Sequence, residues 1–160
     1  MPDLDEMYSR LEPVSDPQKI HMLCHTLQRA ANLWGLEEQD AAQLFGMAEE
    51  AWAKVRSGLE PSTFSREQMV RASCVIGIFR CLRILFHGPL AYGWMTNTNT
   101  GALFNGERPI DKIVKGGVES LLKVRQHLFA LGGGCFDGDM AEKFETRTSA
   151  TGSPGMAHKG

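Results

Sequence analysis

Three side chains with metal-binding chemistry lie close together in the sequence: His21, Cys24 and His25. Their spacings of three and four residues place them on one face of a helix, where two imidazoles and a thiol could approach one ion. A zinc site needs four ligands, however, and no second cluster of cysteine and histidine follows at ligand spacing. We therefore expect these residues to form a partly buried helix face and to bind no metal.

Other residues with catalytic or ligand-binding chemistry lack the spacing that such sites require. Asp137 and Asp139 form too short a segment for a calcium loop and lack its distal glutamate. The glycines at 132–134 do not follow a strand, so they do not indicate a phosphate-binding loop. No spaced base and acid surround the serines considered as nucleophiles, which are Ser9, Ser15, Ser57 and Ser73. The sequence predicts no catalytic residue, no cofactor and no enzymatic activity.

The overall composition is that of an ordinary globular protein, and the charge is unevenly distributed. Hydrophobic residues make up 42% and charged residues 22%, and the net charge is −2, so the overall charge does not indicate a nucleic-acid partner. Residues 36–58 carry five acidic and two basic residues, whereas residues 66–129 carry nine basic and four acidic residues. A basic second half can attract an acidic protein face, a nucleotide or a phosphate backbone.

Hydrophobicity and cysteine usage predict a cytoplasmic protein without a membrane partner. No apolar run approaches the roughly 20 residues that a membrane span requires, and the acidic N-terminus lacks a signal-peptide core. The four cysteines, one of which is Cys135, show no framework spacing. Cys74 and Cys81 share a helix face but lie too far apart along it to form a disulfide. Reduced thiols are the expected state.

Hydrophobic periodicity predicts an all-α fold whose helices position these residues. Asp16 and Ser65 are predicted N-caps, and Gly35, Gly46 and Gly58 are predicted helix ends. The predicted helices cover about 17–34, 37–45, 48–56, 66–86, 89–95, 109–115 and 118–131, with a break at Gly116 and Gly117 between the last two.

The second and third helices have the pattern of a helix-turn-helix, with a small residue, a glycine turn and apolar anchors in order. These residues are Ala42, Gly46, Met47, Trp52 and Val55. The candidate DNA contacts are Gln43, Lys54 and Arg56. Glu49 and Glu50 stand where a base-reading helix presents polar or basic side chains, and they oppose phosphate binding. The unit therefore either reads DNA or serves only as a structural or dimerisation unit.

A second compact unit spans residues 94–128. Trp94 and Phe104 are expected to bracket a polar loop by packing into the core. Gly106 permits the tight turn, Pro109 presets the helix start, and Asp111 in the first turn is favourable near the helix dipole. Three side chains of the final helix are expected to face outward: Lys123, Arg125 and Gln126.

This unit, with the sequence WMTNTNTGALFNGERPIDKIVKGGVESLLKVRQHL, resembles the toxin-binding domain of Xre/MbcA/ParS-type antitoxins. The shared pattern is a tryptophan, an Asn-rich loop, a Gly-x-x-Pro turn with an acid, and a terminal Val-Arg helix. The upstream GLEEQDAAQLFGMAEEAWAKVRSG and the helix ending in LFHGP resemble the helix-turn-helix half of the same antitoxins. The resemblance covers about residues 20–131.

The resemblance implies an all-α antitoxin of a type II toxin–antitoxin pair. Its usual partner is a RES-domain toxin that consumes NAD⁺, whose active-site entrance the C-terminal half covers. The N-terminal half of such antitoxins often represses the shared operon, and Glu49 and Glu50 depart from the family pattern there. The expected partners are therefore a cognate toxin and DNA, in a homodimer or a toxin–antitoxin hetero-oligomer. The alternative function is a helix-turn-helix transcriptional regulator without a toxin.

Carried onto this chain, the resemblance assigns residues and boundaries. The motif core is Trp94, Phe104, Gly106, Pro109 and Asp111. The expected toxin contacts are Arg108, Lys112, Lys123, Arg125, Gln126 and Leu128. The expected divisions are a loose N-terminus at 1–16, a helix-turn-helix domain at 17–64, a toxin-binding domain at 65–131 and a flexible tail at 132–160.

Overall fold

The computed structural model describes residues 4–132, and helices make up 68% of them. The helices are α1 (Leu4–Arg10), α2 (Pro17–Leu33), α3 (Glu38–Phe45), α4 (Glu49–Arg56), α5 (Arg66–Leu85), α6 (Pro89–Gly93) and α7 (Pro109–Leu131). Residues 4–132 contain no strand, and their extended pairing is an isolated antiparallel bridge between Val14 and Phe64. The predicted all-α class is confirmed.

Some sequence predictions fall on residues outside this range. They concern Asp137, Asp139, Cys135, the glycines at 133–134 and the predicted tail. Within the described range, no helix combines the length and the apolar character that crossing a membrane requires.

Two helices begin where their capping residues predict. The Asp16 carboxylate accepts a 3.0 Å hydrogen bond from the backbone N–H of Gln18, and Pro17 occupies the first turn of α2. At α5, Ser65 and Gln68 form a reciprocal capping box, with hydrogen bonds of 3.2 and 2.9 Å. Side-chain acceptors thus satisfy backbone N–H groups that have no partner within their own helix.

The prediction of a loose N-terminus at 1–16 is wrong for its described part. Met7 on α1 and Leu11 just beyond it are buried. The guanidinium of Arg66 donates a 2.9 Å hydrogen bond from Nε to the carbonyl of Leu11. The polar composition of this segment concealed a pair of apolar residues four positions apart, which pack together on one side of a short helix.

The central helix of the fold is α5, which is buried on most of its circumference. The apolar residues Met69, Ala72, Ile76, Phe79 and Leu82, which recur at steps of three and four, are buried, whereas Phe86 is only half-buried. One contiguous hydrophobic cluster joins residues from Met7 to Phe129. Both predicted halves of the chain contribute to this cluster, with Trp52 from the first and Leu128 from the second.

The predicted glycine break in the last helix is confirmed. Gly117 has φ +67° and ψ −150°, so α7 consists of two helical stretches on either side of it. The first stretch contacts α3, since the Gln43 side chain donates a 3.0 Å hydrogen bond to the Val114 carbonyl. The second stretch packs against α5, where Arg125 lies against Gly77.

Candidate interaction surface

The loop between α6 and α7 is closed by backbone hydrogen bonds. Asn99 donates to the Glu107 carbonyl at 3.1 Å, and Gly106 donates to the Asn99 carbonyl at 2.7 Å. Ile110, in the first turn of α7, donates to the Met95 carbonyl at 2.9 Å. Gly106 has φ +87°, which a residue with a side chain rarely adopts, so the predicted role of this glycine in a tight turn is confirmed.

Three aromatic rings hold this loop against α7. Phe104 is buried and meets Trp94 edge-on, with 5.6 Å between ring centroids. The His127 ring stacks with Trp94 at 6.3 Å and meets Phe104 edge-on at 5.6 Å. The predicted packing of Trp94 and Phe104 is confirmed, and His127 is the partner that sequence reasoning missed. These rings stabilise the loop mainly through apolar contact and favourable ring geometry.

The start of α7 carries two exposed ion pairs. Arg108 donates from Nε and Nη2 to the two carboxylate oxygens of Asp111, both at 2.8 Å. These hydrogen bonds lower the pKa of Asp111 and raise the pKa of Arg108. Lys115 pairs with Glu107 at 2.6 Å, and the hydrogen bond from that lysine to the glutamate raises the pKa of Lys115. Arg108, an expected toxin contact, therefore already has an internal carboxylate partner.

A narrow exposed face runs along the second stretch of α7. We call it the α7 outer stripe, and it consists of Glu119, Lys123, Gln126 and Ala130, which are exposed except for half-buried Gln126. Among residues 4–132, Lys123 makes no ion pair, and neither does the half-buried Lys112 on the first stretch. Of the expected toxin contacts, Lys112, Lys123 and Gln126 are therefore the ones with side chains open to a partner.

Two expected toxin contacts are buried instead. Arg125 is 3% exposed and Leu128 is fully buried, so the prediction that these residues lie on the binding surface is wrong for this conformation. Helical spacing explains the error, because Arg125 lies four residues after Leu121 and four before Phe129, on the buried face. The positive charge of Arg125 predicts exposure, whereas its place on the apolar face of α7 buries it.

The candidate DNA contacts do not form one free basic set. Gln43 is bonded to the Val114 carbonyl, and Arg56 donates a 3.0 Å hydrogen bond to Glu38. Lys54 is exposed and makes no ion pair with the described residues. Glu49 and Glu50, the two acids expected to oppose phosphate binding, are exposed in the N-terminal turn of α4.

The predicted metal-binding face is divided by burial. Cys24 is fully buried, and burial raises the pKa of its thiol to about 11. His21 is exposed and contacts the Glu60 carboxylate at 2.9 Å, and His25 is also exposed. Nowhere in the described part of the chain do three histidine, cysteine or acidic side chains converge in a metal-binding arrangement.

Arg71 is a positioning residue that sequence reasoning missed. Its Nη1 donates to the carbonyls of Gln43 and Leu44, at 3.2 and 3.0 Å, near the C-terminus of α3. A cation is favourable at this helix end, where carbonyls lack partners within the helix. Gly46, with φ +71°, leaves room for the arginine, since a Cβ there would lie 2.9 Å from Arg71 Cδ. No local sequence pattern connects residues 25 positions apart.

Comparison with known proteins yields a relative of similar length. The chain is similar to a protein of Sinorhizobium fredii (strain NBRC 101917 / NGR234) named "Uncharacterized protein y4oB", with 29% identity over 127 residues. The similarity covers 76% of this chain and 93% of the relative. No protein-family model matches the sequence, and no solved structure matches it significantly.

Proposed function

We propose that this chain is an antitoxin that binds a NAD⁺-consuming toxin of the RES-domain class and blocks its active-site entrance. The resemblance of residues 94–128 to antitoxin toxin-binding domains motivates the proposal. The observation that carries it is the α7 outer stripe, which presents the ammonium group of Lys123 beside the half-buried side chain of Gln126. That ammonium group has no ion-pair partner among residues 4–132. In this proposal the chain acts by occupying a surface and performs no reaction.

The rigidity of the underlying module supports a blocking role. The aromatic contacts of Trp94, Phe104 and His127 and the Ile110–Met95 hydrogen bond order the loop next to the stripe before any partner arrives. A preorganised surface loses less conformational entropy on binding. An interface of about 1,600 Å² in total is sufficient for a stable complex when a few central residues dominate the binding energy.

Co-expression with the adjacent open reading frame tests the proposal. We expect induction of the neighbouring protein alone to deplete cellular NAD⁺ and arrest growth, and we expect co-induction of this chain to restore both. Persistent arrest in the presence of soluble, folded chain would contradict the proposal.

A pair of charge reversals locates the surface. Lys123→Glu on the α7 outer stripe should weaken toxin binding at least tenfold and restore toxicity, because it reverses the stripe's unpaired positive charge. Lys54→Glu, at an exposed lysine on α4, is the matched control and should leave toxin binding unchanged. Equal effects of the two variants on toxin binding would show that the α7 outer stripe is not part of the interface.

Operon repression, or DNA binding without a toxin, is the second candidate function. It is favoured by the α3–α4 pair, which is joined through the left-handed Gly46, and by the exposed Lys54 near the end of α4. A gel shift with the chain's own promoter should then depend steeply on salt, and Lys54→Ala should weaken the shift. Absence of a shift at low salt would exclude this candidate.

A further inference from the structure

The interior of the α5–α7 contact contains a charged side chain, two of whose N–H groups have no hydrogen-bond acceptor among residues 4–132. Arg125 is 3% exposed, and its Nε and Nη1 are buried N–H groups that find no acceptor among residues 4–132. Buried polar groups in proteins are almost always hydrogen-bonded, and a buried unpaired charge is especially costly. These two N–H groups of Arg125 therefore need an acceptor that residues 4–132 do not supply.

The surroundings hold the guanidinium in place without satisfying it. The ring of Phe129 covers one face, with Arg125 Cζ 4.6 Å from the ring centroid. On the opposing helix, Gly77 provides the space for the side chain, since a Cβ there would lie 2.6 Å from Arg125 Nε. Cys74 and Cys81 flank that glycine on the same face of α5 and are fully buried.

Among residues 4–132, no group close to Arg125 supplies the counter-charge. Burial raises the pKa of Cys74 to about 11 and that of Cys81 to about 12, so both thiols are neutral at physiological pH. The guanidinium of Arg10 also acts on Arg125, and it is a cation that pairs with Glu6. Burial lowers the pKa of Arg125, but arginine remains protonated in proteins. The described surroundings of Arg125 therefore leave its positive charge uncompensated.

We propose that Arg125 is the binding group of a small oxyanion, of the carboxylate or phosphate class, held between α5 and α7. Such an anion accepts charge-assisted hydrogen bonds from the guanidinium and cancels its charge. A small ion fits better than an acidic side chain of a partner protein. At 3% exposure, a group attached to another backbone would reach Arg125 only by separating the two helices. This inference is independent of toxin binding.

The test measures anion binding by the full chain. The ¹⁵Nε–¹H NMR signal of Arg125 and the thermal unfolding midpoint are followed during titration with sodium phosphate or with sodium acetate. Sodium chloride at matched ionic strength corrects for screening. Arg125→Met removes the charge while keeping an apolar stem, and Lys123→Met is the control for an exposed basic residue on the same helix.

One of the two oxyanions should shift the Arg125 Nε signal saturably and raise the wild-type midpoint by about 4–5 °C at a tenfold excess over its dissociation constant. The responding salt identifies the anion class. Lys123→Met should retain the response, and Arg125→Met should lose it. If Arg125→Met does not fold, the wild-type NMR titration decides the question.

A non-saturable shift, or a shift equal to that with chloride, would overturn the proposal and leave buried water or a partner carboxylate as the acceptor. An undiminished response of folded Arg125→Met would place the bound anion elsewhere and overturn it equally.

Discussion

The side-chain amide of Gln43 on α3 donates a 3.0 Å hydrogen bond to the backbone carbonyl of Val114 on α7. This bond joins the predicted helix-turn-helix half to the predicted toxin-binding half. Both halves also contribute to one hydrophobic cluster. We therefore expect them to unfold together rather than as separate units.

Gln43→Ala should lower the free energy of unfolding by about 0.5–1.5 kcal/mol, the usual contribution of one hydrogen bond. The single transition should be retained in urea denaturation followed by both tryptophan fluorescence and circular dichroism. Gln39→Ala, at an exposed glutamine on the same helix, is the control and should have little effect. Two separate transitions in the wild type would contradict the shared core.

Gly77→Ala should destabilise the fold despite the better helix propensity of alanine. The new methyl group would lie 2.6 Å from Arg125 Nε and 3.1 Å from Cδ, and overpacking of this kind costs about 1–3 kcal/mol. In an Arg125→Met background, whose side chain can move aside more easily, the same substitution should cost less. A double-mutant cycle with urea denaturation measures this coupling, and additive effects would refute the contact.

Leu11→Ala should cost about 2–5 kcal/mol of unfolding free energy, as for other buried leucines. Leu11 is 6% exposed, although it lies in a segment whose composition predicts disorder. Leu59→Ala is the matched control, since Leu59 is 66% exposed, and it should change stability by less than about 0.5 kcal/mol. Equally small effects in chemical denaturation would mean that the burial of Leu11 contributes nothing to stability.

Asp111→Asn should destabilise the fold at neutral pH and have little effect once the pH is below the folded-state pKa of Asp111, which lies below the ordinary value of an aspartate. The folded-state pKa of Asp111 is lowered by Arg108, so the stabilisation is complete above the unfolded-state pKa and is lost as the pH falls through the folded-state value. The pair is largely exposed, so about 0.2–1 kcal/mol is expected. Urea midpoints across the acid range check this, and an equal loss at every pH would assign the effect to packing.

The three described cysteines should resist alkylation in the native state. Burial raises the pKa values of Cys24, Cys74 and Cys81 to about 11, 11 and 12. In the unfolded chain the thiols lose their protons from about pH 8.5, whereas in the folded chain they keep them up to the raised pKa values. The free energy of unfolding should therefore fall as the pH rises from about 8.5 toward the folded-state pKa values. Peptide mass spectrometry after iodoacetamide treatment, with and without urea, measures the protection. Rapid native labelling of these sites would contradict the buried positions.

Much of the fold could be predicted from the sequence because its signals are local. Capping residues such as Asp16 and Ser65 and helix-ending glycines such as Gly46 act within a few positions of their own backbone. The break at Gly117 follows from the same kind of signal. Apart from α1, the existence and approximate ends of the helices therefore agree with the structure.

The environment of individual charges could not be predicted, because it depends on residues distant in sequence. The charge of Arg125 predicts a surface position, whereas the side chain lies between Gly77 and Phe129. Arg66 and Arg71 donate hydrogen bonds to the carbonyls of Leu11 and Leu44, which are distant in sequence. From the sequence alone, such arginines are predicted to be solvent-exposed. Only the packing of the helices shows which of them are buried or donate hydrogen bonds to the interior.

The backbone break at Gly117 allows one helical segment to serve two neighbours. A continuous helix over residues 109–131 would have one axis, so its two ends could not be oriented independently. The non-helical dihedral angles of Gly117 place a kink between the two stretches, and each stretch therefore has its own axis. The first stretch can then contact α3 through the Val114 carbonyl, while the second packs against α5, where Arg125 is buried. A residue with a side chain is disfavoured at φ +67°, so a substitution at position 117 would favour a straight helix and the loss of one of these two contacts.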